Sequence, residues 1–591
     1  MRGLPFSEKS TSPALLLVIV VSFFSRSGRA DGDYQLRALT SCAEFVSNDE
    51  LGEIFEAMEA AHPDIVEAFE IGDSVEGRPI HALRLSLNPE EEEEEPEARI
   101  IGAIHGNECM AAEVVLATVE WLVDDYLNDA TFAGRLIDEA EITFVPLLNP
   151  DGYEAEFAKR KNANGVDLNR NLHFAWVGHG GFPFSQPETR ALKQLSDANN
   201  FNIGISFHTI DKYVNGPWNY TPHHPPDDEL IEVMGEAYAG DSDYEVVFGW
   251  DWYDIQGDVN DWSLGTRGTF DWTLELMSDT DAQWGINRAG IEGLLSFLFQ
   301  GVDGLVTDSE TGAPLFARIE VLPADVPVFT DAEVGDFHRV LLPGEYDLRV
   351  VAEGYAPKTI SGVRVVSGEM TTVDVSLEKD DTRDRYAMAV VGMTMPSRVP
   401  REAYDAESYL NDTVVWSALG APDGIPYSLC AHPLSAHVDD PSDPGSVVGS
   451  ITLDMGEDTP LIDRDGDDLM VVSATSSDDR AAVLVATMER GPFVEVERGS
   501  GTMIIDLAPF DLASIRYIKV VDLNQGGFEA PMSGYDLDAV VNLTAPREAA
   551  DGGDPMSDGG ETDMTAVSGG CTCRAAGSGL SPLKSWLLIW L

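Results

Sequence analysis

Four short runs, Arg99–His105, Glu141–Leu147, Asn202–His208 and Thr269–Glu275, are almost continuously apolar instead of alternating. A strand with one wet face alternates polar and apolar side chains, so an unbroken apolar run demands cover on both faces. Such strands belong in a sheet sandwiched between helices, and a long helical pattern from Glu108 to Leu127 follows the first of them. Residues 34–298 therefore read as an α/β domain, a mixed doubly wound sheet flanked by helices. His105, His208 and Glu275 close three of the runs. Open α/β sheets gather their ligands at the C-terminal ends of strands, so these three distant residues are expected to converge.

The remainder needs other cores, because 591 residues exceed what one core supports. Short alternating strands (Phe337–Leu342, Tyr346–Val351, Thr371–Leu377), broken at Pro343-Gly344 and Gly354, predict a small β-sandwich over 301–378. Residues 385–545 are again β-rich and read as a second β-sandwich. They include the acidic stretch Asp463–Asp468, with Asp536 and Asp538 later. Closely spaced carboxylates suit a hard cation such as Ca2+, although the spacing is not that of an EF-hand loop. Residues 546–570 are rich in Gly, Asp and Ser, hence a flexible linker. The tail, 571–591, carries Cys571-Thr572-Cys573 and an apolar end, Trp586–Leu591, too short to span a bilayer alone. The glutamate run Glu90–Glu95 reads as a solvated loop.

Residues 1–30 have the pattern of a secretory signal peptide. Arg2 and Lys9 precede the apolar run Ala14–Phe24, and small residues lie near Ala30. Five cysteines (Cys42, Cys109, Cys430, Cys571, Cys573) form no disulfide framework and their pairing cannot be assigned, so the chain reads as exported but unstapled. Lys+Arg 37 against Asp+Glu 103 gives a formal charge of −66. Such a surface repels nucleic acid and anionic headgroups, which excludes both as expected partners. It suits a protein solvated in salty surroundings.

The polar residues in the α/β region fit one chemistry. A lone H-x-x-E pair such as His105 and Glu108 is weak evidence, and His208 alone reads as a satisfied core histidine. Together, two histidines and a glutamate can hold Zn2+ while leaving a position for water. Arg160, Asn169 and Arg170 could be surface residues. Val166–Leu168, however, predicts a short strand that delivers Asn169-Arg170 into a turn, and arginine's planar fork suits carboxylates. Tyr253, in a Gly- and Asp-rich loop, offers a mobile hydrogen-bond donor. Glu275 is an odd residue to bury in TFDWTLEL unless it moves protons. The set matches hydrolysis of one residue from the free carboxyl end of a peptide.

These residues resemble those of the zinc carboxypeptidase family, specifically its N/E, or regulatory, branch. HGNE is similar to the family's H-x-x-E, RKNANGVDLNRN to R-S-N-A-x-G-x-D-L-N-R-N, and YDIQGDVNDW to Y-D-V-Q-G-G-M-Q-D-Y/W. The resemblance implies His105, Glu108 and His208 as zinc ligands, Glu275 as general base and Arg160 at the oxyanion. It also implies Asn169, Arg170 and Tyr253 on the substrate carboxylate. Segment 301–378 resembles the branch's transthyretin-like domain, and the third segment resembles β-sandwich modules of bacterial surface proteins. The tail resembles a myxobacterial-type sorting signal, which implies transient membrane attachment. Branch members that prefer basic residues carry an aspartate eleven positions after the third ligand, where this chain has Asn219. Asn260 replaces their pocket glutamine, and Asp258 replaces the second glycine of Q-G-G. Asp258 would return an acid to that pocket, giving a basic or broad preference. The expectation is a secreted or cell-surface enzyme acting on peptide and protein C-termini, of open oligomeric state. Its rivals are a cell-wall peptide carboxypeptidase and a catalytically silent surface binding protein.

Overall fold

The structure, a computed structural model, describes Cys42, residues 45–380 apart from 223, 278–279 and 323–325, and stretches between 385 and 543. The leader, linker and tail expected from the sequence lie outside the described residues, as do Asp463–Asp467 and the side chains of Asp536 and Asp538.

Ser47 and Glu50 form a reciprocal capping box that starts helix α1 (Asn48–Ala61). A hairpin follows, β1 (Val66–Asp73) and β2 (Pro79–Leu85). Then come β3 (Glu97–Ile101), helices α2 (Cys109–Leu127) and α3 (Thr131–Glu139), and β4 (Glu141–Val145). Next are α4 (Pro187–Ala198), β5 (Phe201–Thr209), β6 (Tyr213–Gly216), α5 (Asp228–Ala239) and β7 (Glu245–Phe248). Helix α6 (Val259–Arg267), β8 (Phe270–Leu276) and α7 (Thr280–Leu295) complete the region. The strands form one eight-stranded sheet in the order β1-β2-β4-β3-β5-β8-β6-β7. Its central four, β4, β3, β5 and β8, run parallel and are the four apolar runs. Every residue of β3, β4 and β8 is buried, as cover on both faces requires. One buried ion pair lies in this core: Arg99 Nη2 donates to Asp271 Oδ2 at 2.6 Å, and Ser196 and Ser263 complete the group.

Two local expectations are corrected. Strand β3 ends at Ile101, so His105 lies beyond it, in the turn that enters α2. The chain bends at Ile104–His105 and turns at Gly106-Asn107, and at Gly102 it passes so close to the neighbouring strand that a Cβ would stand 2.6 Å from the Pro146 carbonyl. Leu168–Arg170 is a 3₁₀ turn with no strand before it, because the Asp167 side chain accepts the Asn169 N–H at 3.2 Å. The expectation of an unstapled chain is also corrected. Cys42 and Cys109 are disulfide-bonded with Cα atoms 5.6 Å apart, a pairing across 67 residues that only the folded sheet brings together. Of the glutamate run, Glu90–Glu94 are exposed and Glu95 accepts from Ser86 Oγ at 2.8 Å.

The next region has a core of its own. One sheet joins β10 (Ala317–Leu322), β11 (Val328–Phe329), β13 (Gly344–Ala352) and β14 (Lys358–Val365). The other joins β9 (Gly301–Asp308), β12 (Asp336–Val340), β15 (Met370–Thr372) and β16 (Val375–Leu377). This region meets the α/β region at the starts of β5 and α5: Asn202 Nδ2 donates to the His338 carbonyl at 2.8 Å, and Arg339 pairs with Asp227 at 2.7 Å. His208 lies at the opposite end of β5, and Glu275 beside it near the same end of β8.

The last described region holds two five-stranded sheets. One contains β17 (Arg385–Tyr386), β19 (Tyr427–Leu429), β21 (Leu469–Ser473), β24 (Met503–Ile505) and β26 (Tyr535–Asn542). The other runs β18 (Ala389–Thr394), β20 (Ser450–Asp454), β25 (Tyr517–Asp522), β22 (Arg480–Ala486), β23 (Val494–Ser500). Its apolar core is continuous with that of the α/β region. Asp468 is buried and accepts the Leu507 N–H at 2.8 Å, which is a structural use of that carboxylate.

Candidate metal centre and active site

Parallel pairing of β5 with β8 sets His208 directly beside Glu275. The turn after β3 and the start of α2 bring His105 and Glu108 to the same place. His105, Glu108 and His208 are each at most 5% exposed. His105 Nδ1 lies 2.9 Å from Glu108 Oε1 and 3.1 Å from His208 Nδ1, while His208 Nδ1 is 3.1 Å from Glu108 Oε2. Among the described residues this is the only set of three such side chains whose donor atoms come within 4.8 Å of one another. Two imidazole nitrogens this close, facing one carboxylate and shielded from water, fit a shared dication. Mixed nitrogen and oxygen donors fit Zn2+. Beyond the set, His208 Nε2 is bonded to Ser206 Oγ at 3.1 Å, and His105 Nε2 lies 3.3 Å from Asp167 Oδ1. Such outer partners orient ligating histidines.

Burial alone would raise the Glu108 carboxyl, but the charges of His105 and His208 outweigh it and draw it down to about 2. For Glu275 burial prevails, against the charge of His208, and lifts the carboxyl to about 7. A carboxyl near neutrality both accepts and returns a proton readily. Asp167 is buried too, yet the His105 hydrogen bond and the charges of Arg170 and Arg160 hold it well below the usual carboxylate range.

One cleft is lined by His105, Glu108, Arg160, Asn169, His208 and Glu275, together with Tyr253, Asn219 and Asp258. Arg160 is held by Asp167, Nε to Oδ2 at 2.8 Å, with Nη1 3.7 Å from Glu108. Asn169 Oδ1 accepts the Val259 N–H at 3.0 Å. Tyr253 is 37% exposed at the rim, its ring edge-on to Trp252 with centroids 4.5 Å apart. Asp258 caps α6: its Oδ1 accepts the Asp261 N–H at 2.9 Å and Asn219 Nδ2 at 3.3 Å. Its Oδ2 is buried without a hydrogen-bond partner. Burial therefore pushes this carboxyl up to about 6, against the Asp261 N–H and the charge of Arg170.

Two expected site residues do not line the cleft. Arg170 stands beside it, its Nη1 on the Asn169 carbonyl at 2.5 Å. Asn260 is corrected to a supporting position, because its amide is spent on the Asn215 carbonyl and Thr273 Oγ1, both at 3.0 Å. Four residues with a part in the site were not singled out from the sequence. Asp167 and Ser206 were legible in principle, as neighbours of the DLNR and SFHT motifs. Asn215 and Thr273, which line the cleft, carry no such signal.

The zinc carboxypeptidase family profile matches residues 52–292, and that of the carboxypeptidase regulatory-like domain matches 301–378. The carboxypeptidase N catalytic chain of Rattus norvegicus is 30% identical over 396 residues, covering 57% of this chain and 86% of that protein. Carboxypeptidase D of Rattus norvegicus is 30% identical over 393 residues, 56% of this chain and 28% of that protein. Among solved structures, the carboxypeptidase A from Helicoverpa armigera matches 48% of this chain and 78% of its own at 21% identity, with a TM-score of 0.39. The chain belongs to the zinc carboxypeptidase family and is a metallocarboxypeptidase whose catalytic region is followed by a regulatory-like domain.

Proposed function

We propose that this metallocarboxypeptidase removes single C-terminal residues, with a preference for Lys and Arg, and that it acts outside the cytoplasm. The observation that carries the reading is that one cleft unites the His105–Glu108–His208 set, Glu275, Arg160, Asn169 and the unpartnered Asp258 oxygen. Zinc held by the three ligands would supply Lewis acidity to the scissile carbonyl and to a water. Glu275 takes a proton from that water and returns it to the leaving amine nitrogen. Arg160, aimed by Asp167, stabilises the negative charge that develops on the carbonyl oxygen. Asn169, with Arg170 beside it and Tyr253 at the rim, holds the substrate's terminal carboxylate. Asp258 receives the terminal side chain and pairs a buried cation. The leader-like pattern at 1–30 supports export, and the Cys42–Cys109 bond suits an oxidising compartment.

The carboxylate clamp has a direct test. A blocked dipeptide ending in free arginine is compared with its C-terminal amide. The amide is expected to lose kcat/KM by roughly 100-fold or more, since charge-assisted hydrogen bonds are each worth about 1.5–3 kcal/mol. Equal cleavage of acid and amide would remove the reading of Asn169 and Arg170 as a clamp.

A further inference from the structure

The segment that leaves the substrate clamp is joined by backbone hydrogen bonds to the last β-region. The Met393 N–H in β18 donates to the His173 carbonyl at 3.1 Å, and the Met393 carbonyl accepts the Trp176 N–H at 3.3 Å. Residues 172–174 are bonded in turn to Gly257: Leu172 N–H donates to the Gly257 carbonyl and Gly257 N–H to the Phe174 carbonyl, both at 3.1 Å. Gly257 precedes Asp258, and its φ of 74° and close approach to Arg170 suit only glycine. The Val259 N–H then reaches Asn169 Oδ1 at 3.0 Å. Phe174 also stacks on Trp218, next to Asn219, with ring centroids 5.4 Å apart. A second contact joins the same two regions: Lys193 Nζ on α4 lies 2.8 Å from Glu489 Oε2, both side chains largely buried.

We propose that the region holding β17 to β26 is a brace for the substrate pocket, with Met393 and Glu489 as positioning residues. Through His173–Trp176 and Gly257 it sets the spacing of Asn169, Asp258 and Asn219. This role rests on Asn169 and Arg170 holding the substrate carboxylate. None of these bonds reaches His105, Glu108, His208 or Glu275, so loosening the brace weakens substrate placement and leaves the metal centre and proton transfer intact. Geometry of this kind is sensitive, because a small misplacement of bound substrate costs rate steeply.

The test uses the full chain. Glu489→Lys sets two ammonium groups against each other, and pairing it with Lys193→Glu, in a background of Asp197→Asn because Asp197 also bonds Lys193 at 2.6 Å, restores an ion pair of reversed polarity. Met393→Pro removes the bridging N–H by an independent route. The Met393 N–H and carbonyl both face the catalytic loop, so the hydrogen bonds between β18 and β20 are spared. Glu489→Lys and Met393→Pro are each expected to raise KM for a blocked dipeptide ending in arginine by roughly five- to tenfold. Their kcat stays within about twofold and their zinc content is unchanged, and the charge swap returns KM to near wild type. Unchanged KM in both variants overturns the proposal, as does kcat falling together with zinc content. The free-acid against amide comparison, run alongside, separates the two readings. Discrimination kept while both variants behave as wild type removes the brace alone; discrimination absent in the wild type removes the clamp, and the brace with it.

Discussion

Glu275→Gln is expected to lower kcat by about 10³-fold, within the range of 10²–10⁴ for removing a positioned general acid–base. KM and bound zinc are expected to stay close to wild type, because glutamine keeps the shape of the side chain and Glu275 is outside the ligand set. The expectation follows from position. Glu275 sits in register with His208 on the neighbouring parallel strand and is 7% exposed, so bulk water cannot substitute for its carboxylate. Burial holds the group near neutrality, which suits a residue that must accept a proton and return it in one turnover. Steady-state rates beside metal analysis of the same preparation provide the check. Activity within tenfold of wild type would assign the proton transfer to another group.

The second large effect concerns Asp258. Asp258→Asn is expected to lower kcat/KM for Lys- and Arg-terminated substrates by about 100-fold while changing Phe and Leu substrates less than about threefold. A buried carboxylate oxygen without a partner costs desolvation in the free protein, and a substrate cation relieves that cost. Asparagine still caps α6, so the fold has no reason to change. The sign of the pH dependence follows. Burial lifts the Asp258 carboxyl to about 6, so protonation below that value removes the charge, and the preference for basic residues fades as pH falls through 6. Equal losses on all substrates would make Asp258 a structural cap only.

Much of this site was legible in the chain because strands buried on both faces leave a plain trace. The runs ending in His208 and Glu275 became adjacent parallel strands, so two distant residues met as their positions implied. His105 was placed by its motif and misplaced in its structure, since the strand ends at Ile101 and the chain bends and turns over 104–107 before α2, which an apolar run does not mark. Sequence separation hid the Cys42–Cys109 bond, which needs two segments 67 residues apart to meet. Asn260 was implied as a pocket residue by the family resemblance. Its side chain is instead drawn to Asn215 and Thr273, partners that only packing supplies. Contact between β18 and the His173–Trp176 segment runs through backbone groups, which side-chain patterns do not record.

The central claim is that His105, Glu108 and His208 hold a zinc ion on which peptide hydrolysis depends. The most direct measurement is metal content and C-terminal arginine release on the same purified protein, before and after dialysis against a chelator. The account predicts a single zinc per catalytic region, loss of release with the metal, and recovery on adding Zn2+. His208→Ala should reproduce the metal-free state. Release that continues undiminished from protein shown to contain no metal would contradict it.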